Sequence, residues 1–197
     1  IAAYNSVAIE WIICIFMILA GVNFSLYFFL LTGRAREFFK NTELKAYFGI
    51  LFTSILIITI FLVPQTNNIK EAFRLAAFQT ATIMSTTGFA TADYELWLPA
   101  AQLVLFFLMF VGGSSGSTSG GVKVIRWVIL GKQMHNEAKQ MLHPHGVFSI
   151  RLNGEVGRKD VIYNVSAFFF LYFMLLVFTT FIVAGSGVDI LTSFTTA

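Results

Sequence analysis

The sequence predicts an all-α integral membrane protein, a partial chain built from repeated span–pore helix–span units, and three observations carry that prediction. Of 197 residues, 57% are hydrophobic and 12% charged, with 23 Phe. Soluble domains carry about 25% charged residues, so there is too little polar surface here to cover a soluble globule. The apolar residues gather into runs of span length separated by charged segments. Between two such runs lies a shorter helical stretch, Phe78-Gln79-Thr80-Ala81-Thr82-Ile83-Met84, which stops at Ser85-Thr86-Thr87-Gly88-Phe89. It is too short and too polar to be another span, and it reads as a re-entrant pore helix followed by an ion-selectivity filter.

The first span is expected over about Val7 to Leu31, with Glu10 and Trp11 at its interfacial start. Asn23 and Ser25 inside it suit helix–helix hydrogen bonding. Cys14 is the only cysteine, so no internal disulfide forms, and it reads as a small buried or lipid-facing hydrophobe. The segment from Gly33 to Lys45 is charged, and a second span follows over about Ala46 to Val63, closed by Pro64. Asn68 is placed to cap a helix running from about Ile69 to Met84. Lys70, Glu71 and Arg74 set its start at a water interface, while Ala76, Ala77, Thr80, Ala81 and Thr82 suit membrane entry without crossing.

The third apolar segment, Trp97 to Val111, is interrupted by Gly112-Gly113-Ser114-Ser115-Gly116-Ser117-Thr118-Ser119-Gly120-Gly121 and resumes over Val122 to Leu130. Its first part alone gives ~22 Å of helix, short of a span, and the whole would give ~50 Å. The expectation is two half-helices with a broken middle at membrane depth, because Gly, Ser and Thr are poor helix formers. Lys132 to Lys159 reads as an exposed interfacial or cytoplasmic loop, and Asp160 to Ala184 as the last full span. Gly185-Ser186-Gly187 ends that span, and Val188-Asp189 opens a new segment. The chain begins at Ile1 with no charged n-region and stops at Ala197 in mid-pattern, so a piece cut at both ends is expected.

Eleven of the 13 basic residues fall in 34–45 and 123–159, leaving Lys70 and Arg74 elsewhere. The positive-inside rule makes those two segments cytoplasmic and puts the filter stretch outside. Counting spans gives the same alternation. An internal repeat accompanies it: Ala76-Ala77-Phe78-Gln79-Thr80-Ala81 can be laid on Thr192-Ser193-Phe194-Thr195-Thr196-Ala197, each after an in-to-out span. The expected organisation is then 1–43, the last span of a preceding repeat with a cytoplasmic loop; 44–131, a complete repeat; 132–159, a cytoplasmic loop; and 160–197, the start of the next repeat, with a second filter beyond Ala197.

A filter needs backbone carbonyls aimed at a dehydrated cation. Gly88 admits backbone angles closed to other residues, the preceding helix turns its negative end toward the cavity, and Phe89 is positioned to wedge the loop. A plain interfacial turn after a short helix fits the same residues. The Gly-rich break has further readings. Gly112-Gly113-Ser114-Ser115-Gly116 fits G-x-S-x-G, and Gly113-Ser114-Ser115-Gly116 the motif of intramembrane serine hydrolases, but a serine nucleophile needs a base and His135, His143 and His145 all lie outside the spans. Gly112, Gly116 and Gly120 form a helix-packing pattern, a structural scaffold reading. A secondary cation-coupled transporter with Gly-broken helices is a nearer alternative. His143-Pro144-His145 holds too few ligands for a metal site, and a solvated loop accounts for it.

The stretches Ser85-Thr86-Thr87-Gly88-Phe89-Ala90-Thr91-Ala92-Asp93-Tyr94 and Phe110-Val111-Gly112 to Val122-Lys123, with the His143-Pro144 loop, closely resemble the third repeat of the TrkH/KtrB potassium transporters of the Trk/Ktr/HKT superfamily. The resemblance implies four pore-loop repeats around one potassium-channel-like pore in the bacterial cytoplasmic (inner) membrane. It implies K+ as the transported ion, bound at Thr86, Thr87, Gly88 and Phe89, with no other cofactor in this chain and no enzymatic activity. It also implies a homodimer in membrane lipid with a cytosolic nucleotide-binding regulatory subunit of the TrkA/KtrA kind, and no nucleic-acid partner. The break corresponds to the family's intramembrane gate, here Gly112, Gly113, Ser114, Ser115, Gly116, Ser117, Thr118, Ser119, Gly120, Gly121 and Lys123. Ser119 departs from the glycine that many members carry. A loop so rich in glycine is expected to swing, its hydroxyls satisfying its backbone or hydrating the pore. Lys123 stands as a barrier cation, a partner for a carboxylate, or a side chain snorkelling to the interface.

Overall fold

Helix α4 (Thr42–Thr66) is apolar on every side over its 25 residues, the pattern of a helix enclosed by protein and lipid. Tyr47, Leu51, Ile58 and Leu62 are buried, while Phe52, Leu56 and Ile60, spaced four apart, are exposed. An exposed apolar stripe of this kind belongs against hydrocarbon, and ~37 Å of helix crosses ~30 Å of it. Asn41 caps the start, its side-chain oxygen accepting from the Leu44 N–H at 3.0 Å. The helix does not stop before Pro64. It continues through it to Thr66 and ends at Asn67, whose left-handed backbone (φ 51°) directs its N–H to the Val63 carbonyl. A proline in the last turn removes one hydrogen bond, to Ile60, and too little helix remains beyond it for a break.

The computed structural model describes residues 1–197 apart from 2, 3, 5, 144, 145, 147, 158 and 197. Pro144 and His145 of the expected His143-Pro144-His145 loop and Ala197 of the repeat lie outside the described residues. The chain divides into two compact units, Ile1–Val128 and Ile129–Ala197.

In the first unit, α5 (Ile69–Met84) turns back on α4 and starts as expected, with the Asn68 side chain accepting from the Lys70 N–H at 3.0 Å. Ala72, Ala76, Ala77, Phe78, Thr80, Ala81 and Met84 are all buried. The small side chains let α1 (Val7–Ala20), α4 and α6 (Pro99–Met109) pack around α5. Glu10 of α1 and Arg74 of α5 form an ion pair at 3.0 Å within this contact.

The expected first span is not one straight helix. α1 and α2 (Phe24–Leu31) meet at 95° across Gly21-Val22-Asn23. Asn23 is not an interhelical donor but the cap of α2, accepting from the Ser25 N–H at 2.9 Å. The corner costs α1 its last carbonyl partners, and the buried Tyr47 hydroxyl satisfies one of them, donating to Ile18 O at 3.0 Å. A short α3 (Ala35–Lys40) leads into α4. After α5, a 3-10 turn at Tyr94–Leu96 precedes α6, which has Pro99 in its first turn. α6 ends at Met109 and α7 (Val124–Leu142) begins 15 residues later, so the break lies where the composition places it.

The second unit departs from the expected loop. α7 stays helical to Leu142, because Lys132, Gln133, Met134, Glu137, Ala138 and Lys139 are good helix formers that a single Gly131 does not outweigh. A hairpin then pairs β1 (Arg151–Leu152) with β2 (Glu155–Val156). Its turn, Asn153-Gly154, has φ of 51° and 92°, the positive values a two-residue hairpin turn requires. α8 (Lys159–Ala184) follows, with Phe170, Phe178 and Phe181 exposed. α9 (Ile190–Thr196) packs back on α8. Hydrogen bonds from the Thr192 side chain and backbone hold the exposed Asp189 carboxyl below the ordinary carboxylate range.

Among the described residues two helices, Thr42–Thr66 and Val161–Ala184, are long and apolar enough to cross a membrane, and the bent α1–α2 pair makes a third if it is one span. Glu10→Ala leaves the partly buried Arg74 guanidinium with only the longer contact to Glu71 at 4.0 Å, which costs about 1–3 kcal/mol. Thermal unfolding of the detergent-solubilised protein should show a lower midpoint for that variant than for the parent.

Candidate functional site

The C-terminus of α5 ends in a specific turn. The Thr86 N–H donates to Ile83 O and the Thr87 N–H to Thr82 O, both at 3.0 Å. Those two bonds define a Schellman motif, whose left-handed position normally holds glycine. Here it holds Thr86, at φ 54°. A β-branched residue is a true outlier in that region, at a cost of about 1–2 kcal/mol. Two residues on, Gly88 has φ 77°, with open space where a Cβ would lie, so conformation rather than crowding requires glycine there. The alternation of backbone sign turns successive peptide groups in different directions.

Thr86, Thr87 and Gly88 are exposed, and among the described residues their carbonyls accept no hydrogen bond. They sit at the negative end of a buried helix, the electrostatic setting for a cation. The Ser85 and Thr87 hydroxyls lie 2.6 Å apart. Phe89 does not wedge the turn within this unit. It is 44% exposed there.

The Gly-rich segment is closed on itself and tied on three sides. The Gly112 N–H donates to Val122 O at 2.9 Å and the Val124 N–H to Gly113 O at 3.1 Å, closing its two arms. Gly112 must be glycine, since a Cβ there would sit 2.1 Å from the Gly120 carbonyl oxygen. Against the α1–α2 corner, the Ser114 N–H donates to Gly21 O at 2.8 Å and the Phe24 N–H to Gly116 O at 3.2 Å. The Thr118 hydroxyl donates to Ala20 O at 3.3 Å. Against the turn at the end of α5, the Gly120 N–H donates to the Thr86 hydroxyl at 2.8 Å. Against α4, the Glu43 carboxylate accepts from the Ser115 N–H at 2.5 Å.

This is not a loose loop. The hydroxyls of Ser114, Ser117 and Ser119 find no partner among the described residues, so backbone partners from neighbouring elements hold the segment instead. Lys123 does not snorkel: its ammonium turns back to the Ser119 carbonyl. The sequence-derived filter and break residues are therefore brought together through Thr86 and Gly120. Two contributors were not foreseen. Glu43 lies in the charged segment Gly33 to Lys45, where nothing local in the sequence marks a partner more than 70 positions away. The α1–α2 corner did leave a sign, the Gly21–Asn23 interruption of an apolar run.

A family model described as TrkH, cation transport protein, matches residues 1–197. The chain belongs to the TrkH family. It is 32% identical to the Trk system potassium uptake protein TrkH of Escherichia coli K12, an alignment covering 98% of this chain and 41% of that protein. It is 33% identical to the TrkH of Halomonas elongata, over 100% of this chain and 41% of that one. The crystal structure of the potassium transporter TrkH from Vibrio parahaemolyticus superposes with a TM-score of 0.89 at 32% identity, covering 96% of this chain and 42% of that one. The chain thus spans about two-fifths of the length of the relatives it matches. Family membership and helices of span length make this a segment of a multi-pass membrane protein.

Gly112→Ala forces the closed arms apart, an overpacking cost of about 1–3 kcal/mol. A thermal-stability assay on the purified full-length protein should register that loss, whereas Gly131→Ala, with open space around it, should not.

Proposed function

We propose that this chain forms part of a pore for potassium uptake across the bacterial cytoplasmic membrane. Thr86, Thr87, Gly88 and Phe89 supply one quarter of a carbonyl-lined selectivity filter, and Gly112 to Gly121 with Lys123 form the gate beneath it. The names of the E. coli and Halomonas relatives as potassium uptake proteins support the choice of ion. The observation that carries the reading is the turn itself: exposed residues whose carbonyls accept no hydrogen bond among the described residues, held in a strained conformation at the negative end of a buried helix. Carbonyl rings of this kind replace the hydration shell of a cation.

In this reading 44–131 is one complete repeat and 160–197 begins the next. The α4–α5 and α8–α9 hairpins support it, each a long apolar helix followed by a short one packed back on it. Arg34, Arg36, Lys40 and Lys45 face the cytoplasm, and the filter turn faces outside. The whole transporter is a homodimer working with a cytosolic nucleotide-binding subunit.

Two experiments test this on the full-length transporter in proteoliposomes. Gly88→Ser places a side chain at a left-handed position and distorts the carbonyls, so the K+/Na+ flux ratio should fall by about tenfold, corresponding to ~1.4 kcal/mol of discrimination. An unchanged ratio counts against the filter. Deleting residues 113–120 should raise basal K+ flux, and a rate that stays level or drops at normal protein amount refutes the gate.

A further inference from the structure

The gate reading leaves open what holds the segment shut, and the structure points to a residue outside it. Glu43 lies in the first turn of α4 and is 5% exposed. A carboxylate so enclosed must be matched by donors. One oxygen, Oε1, accepts from the Ser115 N–H at 2.5 Å and from the Ile125 N–H at 3.2 Å. Ser115 is in the middle of the Gly-rich segment. Ile125 is in the first turn of α7, where backbone N–H groups have no partner within the helix. A negative charge is favoured at such a helix start. The same oxygen therefore caps α7 and grips the segment that leads into it.

We propose that Glu43 is a positioning residue of the gate, a latch that fastens the middle of the Gly-rich segment to the start of α7. The proposal rests on the reading of that segment as a gate. Lifting Ser115 away removes a charge-assisted hydrogen bond and leaves a buried carboxylate short of a donor. The closed arrangement is favoured for that reason. Lys123 braces the far limb of the segment through the Ser119 carbonyl, and the Thr86 hydroxyl holds Gly120 at 2.8 Å. The Val124 N–H also holds Gly113 at 3.1 Å, and Glu43 adds the tie between Ser115, in the middle of the segment, and Ile125 of α7.

The test is basal K+ uptake by the full-length transporter in proteoliposomes, without its regulatory subunit, together with the K+/Na+ ratio and the thermal midpoint. Glu43→Ala removes the acceptor and should raise basal uptake by on the order of tenfold, with the ion ratio unchanged because the filter turn is untouched. Glu43→Gln keeps a carbonyl oxygen at the same position and should stay within about threefold of the parent. Glu43→Asp keeps the charge but is too short to reach both N–H groups, so it should rise like the alanine variant. If Glu43→Ala does not accumulate as folded protein, the Asp and Gln variants decide. A raised Asp with a near-normal Gln supports the latch, and a Gln variant raised as far as Asp overturns it. Unchanged or lower uptake in Glu43→Ala, when deletion of 113–120 does raise it, overturns the latch and leaves the gate standing. If neither raises uptake, the gate reading falls as well.

Discussion

Backbone polar groups at membrane depth must find partners within the protein, since hydrocarbon offers none. The ten Gly, Ser and Thr residues between α6 and α7 make that constraint acute, because they give up helical hydrogen bonds between two apolar helices. The structure meets it by borrowing donors and acceptors from other elements: carbonyls at the α1–α2 corner, a carboxylate at the start of α4, a hydroxyl on the filter turn. The sharp bend of α1 against α2 fits into the same scheme. A helix that breaks exposes carbonyls at its end, and those of Ala20 and Gly21 serve the Gly-rich segment. Two interrupted helices thereby complete one another.

The turn at the end of α5 has a different kind of support. α5 is held by close packing of alanines against α1, α4 and α6, and by the ion pair between Arg74 and Glu10. This fixes the helix whose end carries the turn, so that Thr86 to Gly88 are exposed without being loose. Rigid packing behind a turn and hydrogen-bond ties below it are the conditions under which strained backbone persists.

Much of this was legible in the sequence. Apolar run lengths fixed the long helices, Asn68 marked the start of α5, and the run of Gly, Ser and Thr marked the break. Errors arose where local signals compete. Pro64 was read as a stop, yet it lies in a last turn that tolerates it. Gly21 to Asn23 was absorbed into a long apolar run, although a glycine followed closely by a capping residue can end one helix and start another. The Asn153-Gly154 turn was overlooked inside a polar stretch that reads as loop. Glu43 was illegible for another reason. Its partners lie 72 and 82 residues away and are backbone N–H groups, which carry no side-chain signature.

Threonine at the left-handed position of the α5 cap has a consequence for engineering. Glycine there would relieve the backbone and is what a search for more robust variants would select at a helix end. It would also delete the hydroxyl that receives the Gly120 N–H. A screen for heat resistance and a screen for controlled conduction should therefore pull this position in opposite directions. At residue 86 a strained turn and a hydrogen bond to the Gly-rich segment come together, and glycine would remove both.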